Sequence, residues 1–224
     1  GDADMVAFFQ RLVGYTLMGR PDEDVLIIPW GSGANGKSTV LGAIRAALGD
    51  YACMAPSSVF LRDPAALGGA GSGAARPEVL ALAGTRFVLS TEPDEGGELR
   101  EGTVKAMTGG EAIPARALYS SVIVQVQPSW VTWLATNHRP VIRGDDVGIW
   151  RRILLLPFTR NFEADGGAGK DTARGEKLAT AGERARVLAW CVAGALEYQR
   201  RGLAVPPGVE AARAEYRGDM DLLA

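Results

Sequence analysis

The sequence predicts an α/β domain with a mainly parallel central sheet, and two observations support this fold class. Apolar, strand-like runs alternate with amphipathic, helix-like segments along the chain, and this alternation is typical of parallel strands joined by helices. In addition, an apolar run at 25–30 leads into a glycine-rich turn at 31–36 and then into a helical pattern at 37–48. A strand, a glycine-rich turn and a helix in this order form a known supersecondary unit of α/β sheets.

The glycine-rich turn has the chemistry of a phosphate-binding loop. Residues 31–39 read Gly-Ser-Gly-Ala-Asn-Gly-Lys-Ser-Thr, which fits the pattern G-x-x-x-x-G-K-[ST]. The glycines let backbone N–H groups converge on one centre, and the helix that follows adds the positive end of its dipole. Lys37 can reach the β- and γ-phosphates of ATP, and the Ser38 hydroxyl can bind Mg²⁺. The predicted nucleotide-binding residues of the loop are Gly31, Gly33, Asn35, Gly36, Lys37, Ser38 and Thr39.

Composition and charge limit the other possibilities. The chain has 224 residues, of which 47% are hydrophobic, enough for the core of one large domain. No apolar run is long enough to span a membrane and no leader-like segment is found, so we expect no membrane partner and a location in the cytoplasm. Cys53, Cys191 and His138 lack the spacing of a zinc site. With a net charge of −2, any contact with nucleic acid must be local.

Helices are predicted where apolar residues recur at helical spacing. The first ends near Gly19, the helix after the phosphate loop ends at Gly49, and the last begins at Pro206-Pro207. The predicted helices lie within 1–24, 37–48, 77–83, 98–107, 182–201 and 206–217. Short apolar runs bounded by polar or glycine residues predict the strands. These are 25–31, 57–61, 86–92, 130–136 and 152–158, with 112–118 and 122–126 as an inserted β-hairpin. We divide the chain into a helical lead-in (1–24), a core (25–160) and a loop with a C-terminal helical segment (161–224).

Polar residues stand at the ends of two buried strands, at the edge where α/β sheets bind ligands. Glu92 can polarise the attacking water or help to hold Mg²⁺. It either performs both roles through a water or is assisted by Asp94. Asn137 can orient the water against the γ-phosphate without adding charge. Lys37, Glu92 and Asn137 are therefore predicted to be catalytic, and Ser38 and Glu92 to be metal ligands.

Two arginines, Arg151 and Arg152, stand at the start of the strand predicted at 152–158. Arginine stabilises the charge that develops on a transferred phosphoryl group, and a neighbouring subunit often supplies it. Arg152 is the first candidate for this role and Arg151 the second. The alternatives are a solvated pair of arginines or a structural salt bridge.

Four motifs together resemble one family. They are the loop at 31–39, Lys-Ala-Met-Thr-Gly-Gly-Glu-Ala-Ile-Pro-Ala-Arg at 105–116, Trp-Leu-Ala-Thr-Asn-His-Arg-Pro at 133–140 and Ile-Trp-Arg-Arg-Ile at 149–153. In this order they are similar to the helicase domain of phage and plasmid primase–helicases, which are superfamily 3 helicases with an AAA+-like core. The resemblance extends over about residues 5–220. It implies an ATP-driven, ring-forming DNA helicase, usually hexameric, that moves 3′ to 5′ on single-stranded DNA. If a phage or plasmid encodes the chain, the expected location is the cytoplasm of a bacterial host.

The resemblance also implies roles for individual residues. Gly36, Lys37 and Ser38 match the Walker A residues, Glu92 the Walker B acid, Asn137 the sensor 1 residue and Arg152 the arginine finger. Lys105 matches a basic residue that reaches the nucleotide of a neighbour. The segment 111–121 matches the hairpin that points into the central channel, which makes Arg116 and Tyr119 candidate DNA contacts, a cation for phosphate and a ring for base stacking.

The chain departs from the family in the parts that flank the helicase core. We find no counterpart of the primase catalytic residues, only part of the collar in 1–24, and no C-terminal winged helix, so we expect a linked primase domain outside this sequence.

Two other functions remain open. A small-molecule kinase would have an arginine-rich lid over a substrate pocket, and a nucleotide-gated scaffold would bind ATP with little turnover.

Overall fold

The structure is a computed structural model that describes residues 2–20, 22–62, 76–91, 97–143, 146–164 and 171–221. The helices are α1 (Ala3–Met18), α2 (Lys37–Leu48), α3 (Pro77–Ala81), α4 (Glu101–Thr108), α5 (Val147–Trp150), α6 (Arg174–Leu178), α7 (Ala181–Arg201) and α8 (Pro207–Asp221). The strands are β1 (Leu26–Trp30), β2 (Ala52–Met54), β3 (Leu61–Arg62), β4 (Phe87–Thr91), β5 (Glu98–Leu99), β6 (Ile113–Ala115), β7 (Val124–Val126), β8 (Val131–Ala135) and β9 (Ile153–Pro157).

Five strands form a central parallel sheet in the order β2-β4-β8-β1-β9. β1 lies between β8 and β9, and Leu26 pairs with Thr132 on one side and with Ile153 on the other. Because every strand runs in the same direction, the carboxyl ends of all five meet at one edge of the sheet. The predicted α/β fold with a parallel sheet, an inserted hairpin (β6 and β7) and C-terminal helices is confirmed.

Both faces of the sheet are covered, which explains why its strands are continuously apolar. Alternate side chains pack into two separate cores. Ile27 and Trp133 belong to one core, beneath α1, α2 and α7. Leu26 and Leu134 belong to the other, beneath α4, α8 and the hairpin. Cys191 of α7 is fully buried in the first core, as expected for a packing residue.

Two sequence predictions were wrong at short elements. The predicted strand at 57–61 is a 3₁₀ turn at Ser57–Val59 followed by the two-residue strand β3. One edge strand of the central sheet is β2, which was not predicted. Its Ala-Cys-Met sequence has two half-buried residues and one exposed residue and shows no strand-like alternation. The predicted helix at 98–107 begins later, since Glu98 and Leu99 pair with β3 before α4 starts.

The N-terminal helix α1 packs closely on α7, and glycine permits the contact. A Cβ atom on Gly194 would lie 2.0 Å from the backbone oxygen of Gln10, and one on Gly14 would lie 2.0 Å from the backbone nitrogen of Ala195. Arg11 then joins α1 to the chain beyond α7 by donating to the carbonyls of Leu203 (3.0 Å) and Ala204 (3.1 Å).

The division of the chain into a lead-in, a core and a C-terminal segment stays a prediction. Within the described part of the chain, no helix has both the length and the apolar character that crossing a membrane requires.

Replacing Gly194 by alanine should destabilise the protein, because the new methyl group forces α1 and α7 apart. We expect the free energy of unfolding to fall by about 1–3 kcal/mol, as for other overpacked contacts. The matched control is Gly182→Ala on the same helix, where a Cβ atom meets nothing within 4 Å, and which should not destabilise because alanine favours the helix. Urea unfolding followed by circular dichroism measures both, and equal stabilities of the two variants would contradict the close packing.

Candidate functional site

The phosphate loop is held in a conformation that needs glycine at three positions. Gly33 and Gly36 have φ angles of 100° and 83°, in the left-handed region that side chains rarely adopt. Gly31 is restricted by space instead, since a Cβ atom there would lie 2.4 Å from the carbonyl oxygen of Phe158. The turn places the N-terminus of α2 at the carboxyl edge of the sheet, where helix N–H groups and the helix dipole favour an anion.

Lys37, the first residue of α2, is the centre of the site. Its Nζ donates to the carbonyl oxygen of Gly31, to Oδ1 of Asn35 at 3.2 Å and to Oδ1 of Asn137 at 3.1 Å. The residue is only 6% exposed, and this burial lowers the pKa of Lys37 below its usual value. All three acceptors are neutral oxygens, so Lys37 has no anionic partner among the residues that the structure describes.

Asn35 links the loop to the last strand of the sheet. Its Nδ2 donates to the carbonyl of Phe158, just beyond β9, at 3.3 Å, while its Oδ1 accepts from the backbone N–H of Lys37 at 3.4 Å and from the ammonium group. Asn35 is buried. It is therefore a brace that fixes the shape of the loop and the direction of the Lys37 side chain.

Asn137 reaches the loop because β8 and β1 are neighbours. The two strands stay paired to their ends, where Thr136 donates its N–H to the carbonyl of Pro29 at 3.0 Å. Arg139 then fastens the following turn. Its guanidinium lies 4.2 Å from the ring centroid of Trp30 and pairs with Glu215 of α8 at 2.8 Å.

The two predicted acids, Glu92 and Asp94, lie outside the described residues. The strand that leads to Glu92 is described: Thr91, its last residue, pairs with Ala135, two residues before Asn137. The end of β4 at Thr91 therefore lies at the same edge of the sheet as Lys37 and Asn137.

The side chains present fit Mg²⁺. Ser38 is exposed at the first turn of α2, next to Lys37, and its hydroxyl, like the carboxylate of Glu92, is a hard oxygen ligand of the kind that Mg²⁺ prefers. Among the described residues, no three or more His, Cys, Asp or Glu side chains are grouped so that they could hold a metal ion. A sparse protein ligand set is usual where Mg²⁺ is bound together with substrate phosphates. Thr39 is half-buried in the same turn.

The two arginines of the pair have very different surroundings. Arg152 is 8% exposed and donates to Thr108 Oγ1 (3.0 Å), to the carbonyl of Gly148 (2.7 Å) and to Asp24 Oδ2 (3.3 Å). All these acceptors belong to its own chain. Arg151 is exposed and lines a groove between α5 and α8. For Arg152 the alternative of a structural salt bridge thus has geometric support, and Arg151 is the arginine that can reach outward.

Lys105 lies near the exposed Arg151, since Asp146 interacts with both cations. It forms an ion pair with Asp146, which also caps α5 by accepting from the N–H of Gly148 at 2.7 Å. The Lys105 hydrogen bond and then the Gly148 N–H lower the pKa of Asp146. Both members of the pair are partly exposed, so a stronger anion can displace Asp146 from Lys105.

The hairpin has a buried base and an exposed tip. Ile113, Ala115 and Val126 are buried in the core, whereas Tyr119 at the tip is fully exposed. Arg116 donates to the carbonyl of Ser120 at 2.9 Å, so its guanidinium braces the tip. Three other apolar side chains near the tip are more than 60% exposed, namely Leu118, Val122 and Ile123.

Sequence reasoning missed three residues that shape the site. Asp146 accepts a hydrogen bond from Lys105, and Thr108 accepts one from Arg152. Phe162 covers one side of the phosphate loop. An aspartate two residues before a glycine at a helix start is a cap signal that could have identified Asp146. Thr108 and Phe162 carry no such signal.

Comparison with known proteins gives the following relationships. No protein-family model matches the chain. Over 161 residues, or 72% of its length, the chain is 34% identical to the protein named Putative helicase L207/L206 of Acanthamoeba polyphaga mimivirus. Over 163 residues it is 29% identical to Putative helicase 022R of Frog virus 3 (isolate Goorha). The chain spans 16% of the length of each of these viral proteins.

Solved structures of the NrS-1 C-terminal region have a similar fold. The apo structure of residues 305–718 of that protein matches 98% of this chain with a TM-score of 0.60 and 11% identity. An A-form apo structure matches 87% of this chain with a TM-score of 0.58 and 10% identity. This chain covers 47% and 42% of those two chains. The chain has a P-loop NTPase-like fold. Membership in superfamily 3 stays a prediction.

Replacing Arg152 by alanine should destabilise the protein, because Thr108 and the carbonyl of Gly148 lose a buried donor. The expected fall in the free energy of unfolding is about 2–3 kcal/mol. Arg151→Ala is the matched control and should leave stability nearly unchanged, since that side chain is exposed. Thermal unfolding of both variants measures the difference. An Arg152→Ala variant as stable as Arg151→Ala would show that the buried contacts do not hold the turn.

Proposed function

We propose that this chain is the motor part of a DNA helicase, which hydrolyses ATP with Mg²⁺ and moves on single-stranded DNA. The observation that carries this proposal is the 3.1 Å contact between Lys37 Nζ and Asn137 Oδ1 at the phosphate loop. It joins a phosphate-binding cation to the amide that can orient a water. The viral relatives named as helicases support a DNA-directed role.

The polar groups of the site divide the work of phosphoryl transfer. A triphosphate in the loop offers Lys37 charged oxygens in place of the neutral Gly31, Asn35 and Asn137 oxygens that it contacts now. The amide of Asn137 is then released to orient the attacking water. Glu92 takes the proton from that water as general base.

Ser38 and Glu92 are the side chains that would hold Mg²⁺. When bound, the ion neutralises the charge that develops on the phosphates. Lys37 and the backbone N–H groups at the start of α2 position the same phosphates. The site therefore works mainly by positioning and electrostatics, as phosphoryl transfer requires.

The arginine that completes the site comes from a neighbouring copy of the chain in this proposal. Arg151 is the better candidate, because its side chain is exposed while the guanidinium of Arg152 is occupied within its own chain. Arg152 is then a positioning residue that holds the turn carrying Arg151. Lys105 lies near Arg151 and is the second cation offered to the neighbour's nucleotide, with Asp146 as its resting partner. Such sites close most simply into a ring, and we propose a hexamer.

The hairpin is the proposed DNA contact. Tyr119 presents a fully exposed ring, and base stacking on an aromatic side chain is independent of sequence. Arg116 holds the tip in shape and adds a positive charge for the DNA backbone. Closure of successive nucleotide sites would move this tip along the strand.

Two variants that fail separately should rescue each other if the site is shared. Lys37→Ala subunits lack the cation of the phosphate loop but still supply Arg151 to a neighbour. Arg151→Ala subunits keep an intact phosphate loop but supply no arginine. Each variant alone should hydrolyse no ATP, although Arg151→Ala still binds it. Mixed one to one, about one quarter of the interfaces combine the two intact halves, and hydrolysis should return in that proportion. Normal hydrolysis by Arg151→Ala alone, or no recovery in the mixture, would contradict the shared site.

Removing the ring of Tyr119 should uncouple hydrolysis from DNA. Tyr119→Ala should keep the ATPase rate measured without DNA but lose most of its stimulation by single-stranded DNA, with DNA binding weakened about tenfold. Tyr119→Phe keeps the ring and is the control, which should behave as the unmodified chain does. Equal stimulation of both variants would exclude Tyr119 as a DNA contact.

A further inference from the structure

A cavity of about 560 Å³ lies beside the phosphate loop. Its wall is formed by the loop and the first turn of α2, by the segment after β9, and by α6 with the residues before it. Gly36, Thr39, Val40, Phe162 and Leu178 are parts of this wall. The volume lies within the range of small-molecule pockets.

Phe162 is attached to the phosphate loop by its backbone. Its N–H donates to the carbonyl of Ala34 at 2.9 Å. A Cβ atom on Gly36 would lie 3.5 Å from a carbon of its ring, and the guanidinium of Arg160 lies 4.5 Å from the ring centroid. The ring is half-buried. A flat aromatic surface is therefore held at a fixed place next to the residues that bind phosphate.

The cavity wall does not include the two residues that are assigned to the terminal phosphate. Lys37 Nζ and Asn137 mark the position of that phosphate, and neither residue is part of the described cavity wall. The wall instead includes Thr39 and Val40, which follow Ser38 in the first turn of α2. If the γ-phosphate meets Asn137, this cavity beside Gly36 and Thr39 is left for the other end of the nucleotide.

We propose that the cavity holds the base of the bound nucleotide and that Phe162 is the side chain on which the base stacks. This inference rests on the proposed function, because it assumes that the loop binds a nucleoside triphosphate. Stacking depends on the size of the aromatic base rather than on its hydrogen-bonding edge. Phe162 therefore favours purines over pyrimidines and favours ATP and GTP to a similar degree.

The test compares a nucleotide with a probe that has no base. Binding of the non-hydrolysable analogue AMP-PNP and of inorganic tripolyphosphate, each with Mg²⁺, is measured by calorimetry. Phe162→Ala should weaken AMP-PNP binding about tenfold and leave tripolyphosphate binding unchanged. Phe162→Tyr keeps the ring and should bind both probes as the unmodified chain does. Equal weakening of both probes by Phe162→Ala would mean that Phe162 only supports the loop, and no weakening of either would place the base elsewhere.

The unmodified chain provides a second test that needs no variant. ATP and GTP should compete for the site at similar concentrations, and CTP and UTP only at higher ones, whereas equal competition by all four would overturn the stacking role. If the chain binds tripolyphosphate and AMP-PNP equally well, the base pocket fails while the phosphate loop stands. If it binds neither probe, the proposed function fails and the base pocket fails with it.

Discussion

The rest of the site depends on the hydrogen bonds that the buried ammonium group of Lys37 donates. This group joins three parts of the chain: Gly31 at the start of the loop, Asn35 within it, and Asn137 beyond β8. This convergence is possible only because β8 lies directly beside β1 and in parallel with it. The order of strands in the sheet therefore decides which residues meet the phosphate. Burying a cation among the neutral oxygens of the described residues costs free energy. In the proposed function, the negative charge of a triphosphate offsets this cost.

The arginine pair shows a second division of labour, between support and contact. Arg152 spans α4, α5 and the residue Asp24 that precedes β1, so it ties the turn to the core. Arg151, one residue earlier, is left on the surface with Lys105 and Asp146 nearby. A rigid turn that carries an exposed cation suits a group that must enter a neighbour's site at a fixed distance, because little conformational entropy is then lost on contact.

Those parts of the fold that depend on local sequence could be predicted from it. Helix α2 was predicted with the bounds that it has, since a motif fixes its start and Gly49 its end. The meeting of Lys37 and Asn137 followed from the rule that parallel strands place their ends together. β2 could not be predicted, because its three residues, none of them buried, become a strand only through pairing with β4. Nor could sequence distinguish Arg151 from Arg152, or find Phe162, since their surroundings are created by distant contacts.

The most direct measurement is the rate of ATP hydrolysis per subunit across a range of protein concentrations, with and without single-stranded DNA. Lys37→Ala serves as the blank. A nucleotide site completed by a neighbour and coupled to DNA predicts a rate per subunit that rises with protein concentration and rises further when DNA is added. A rate that is independent of concentration and indifferent to DNA would contradict the account and favour a self-contained, kinase-like site.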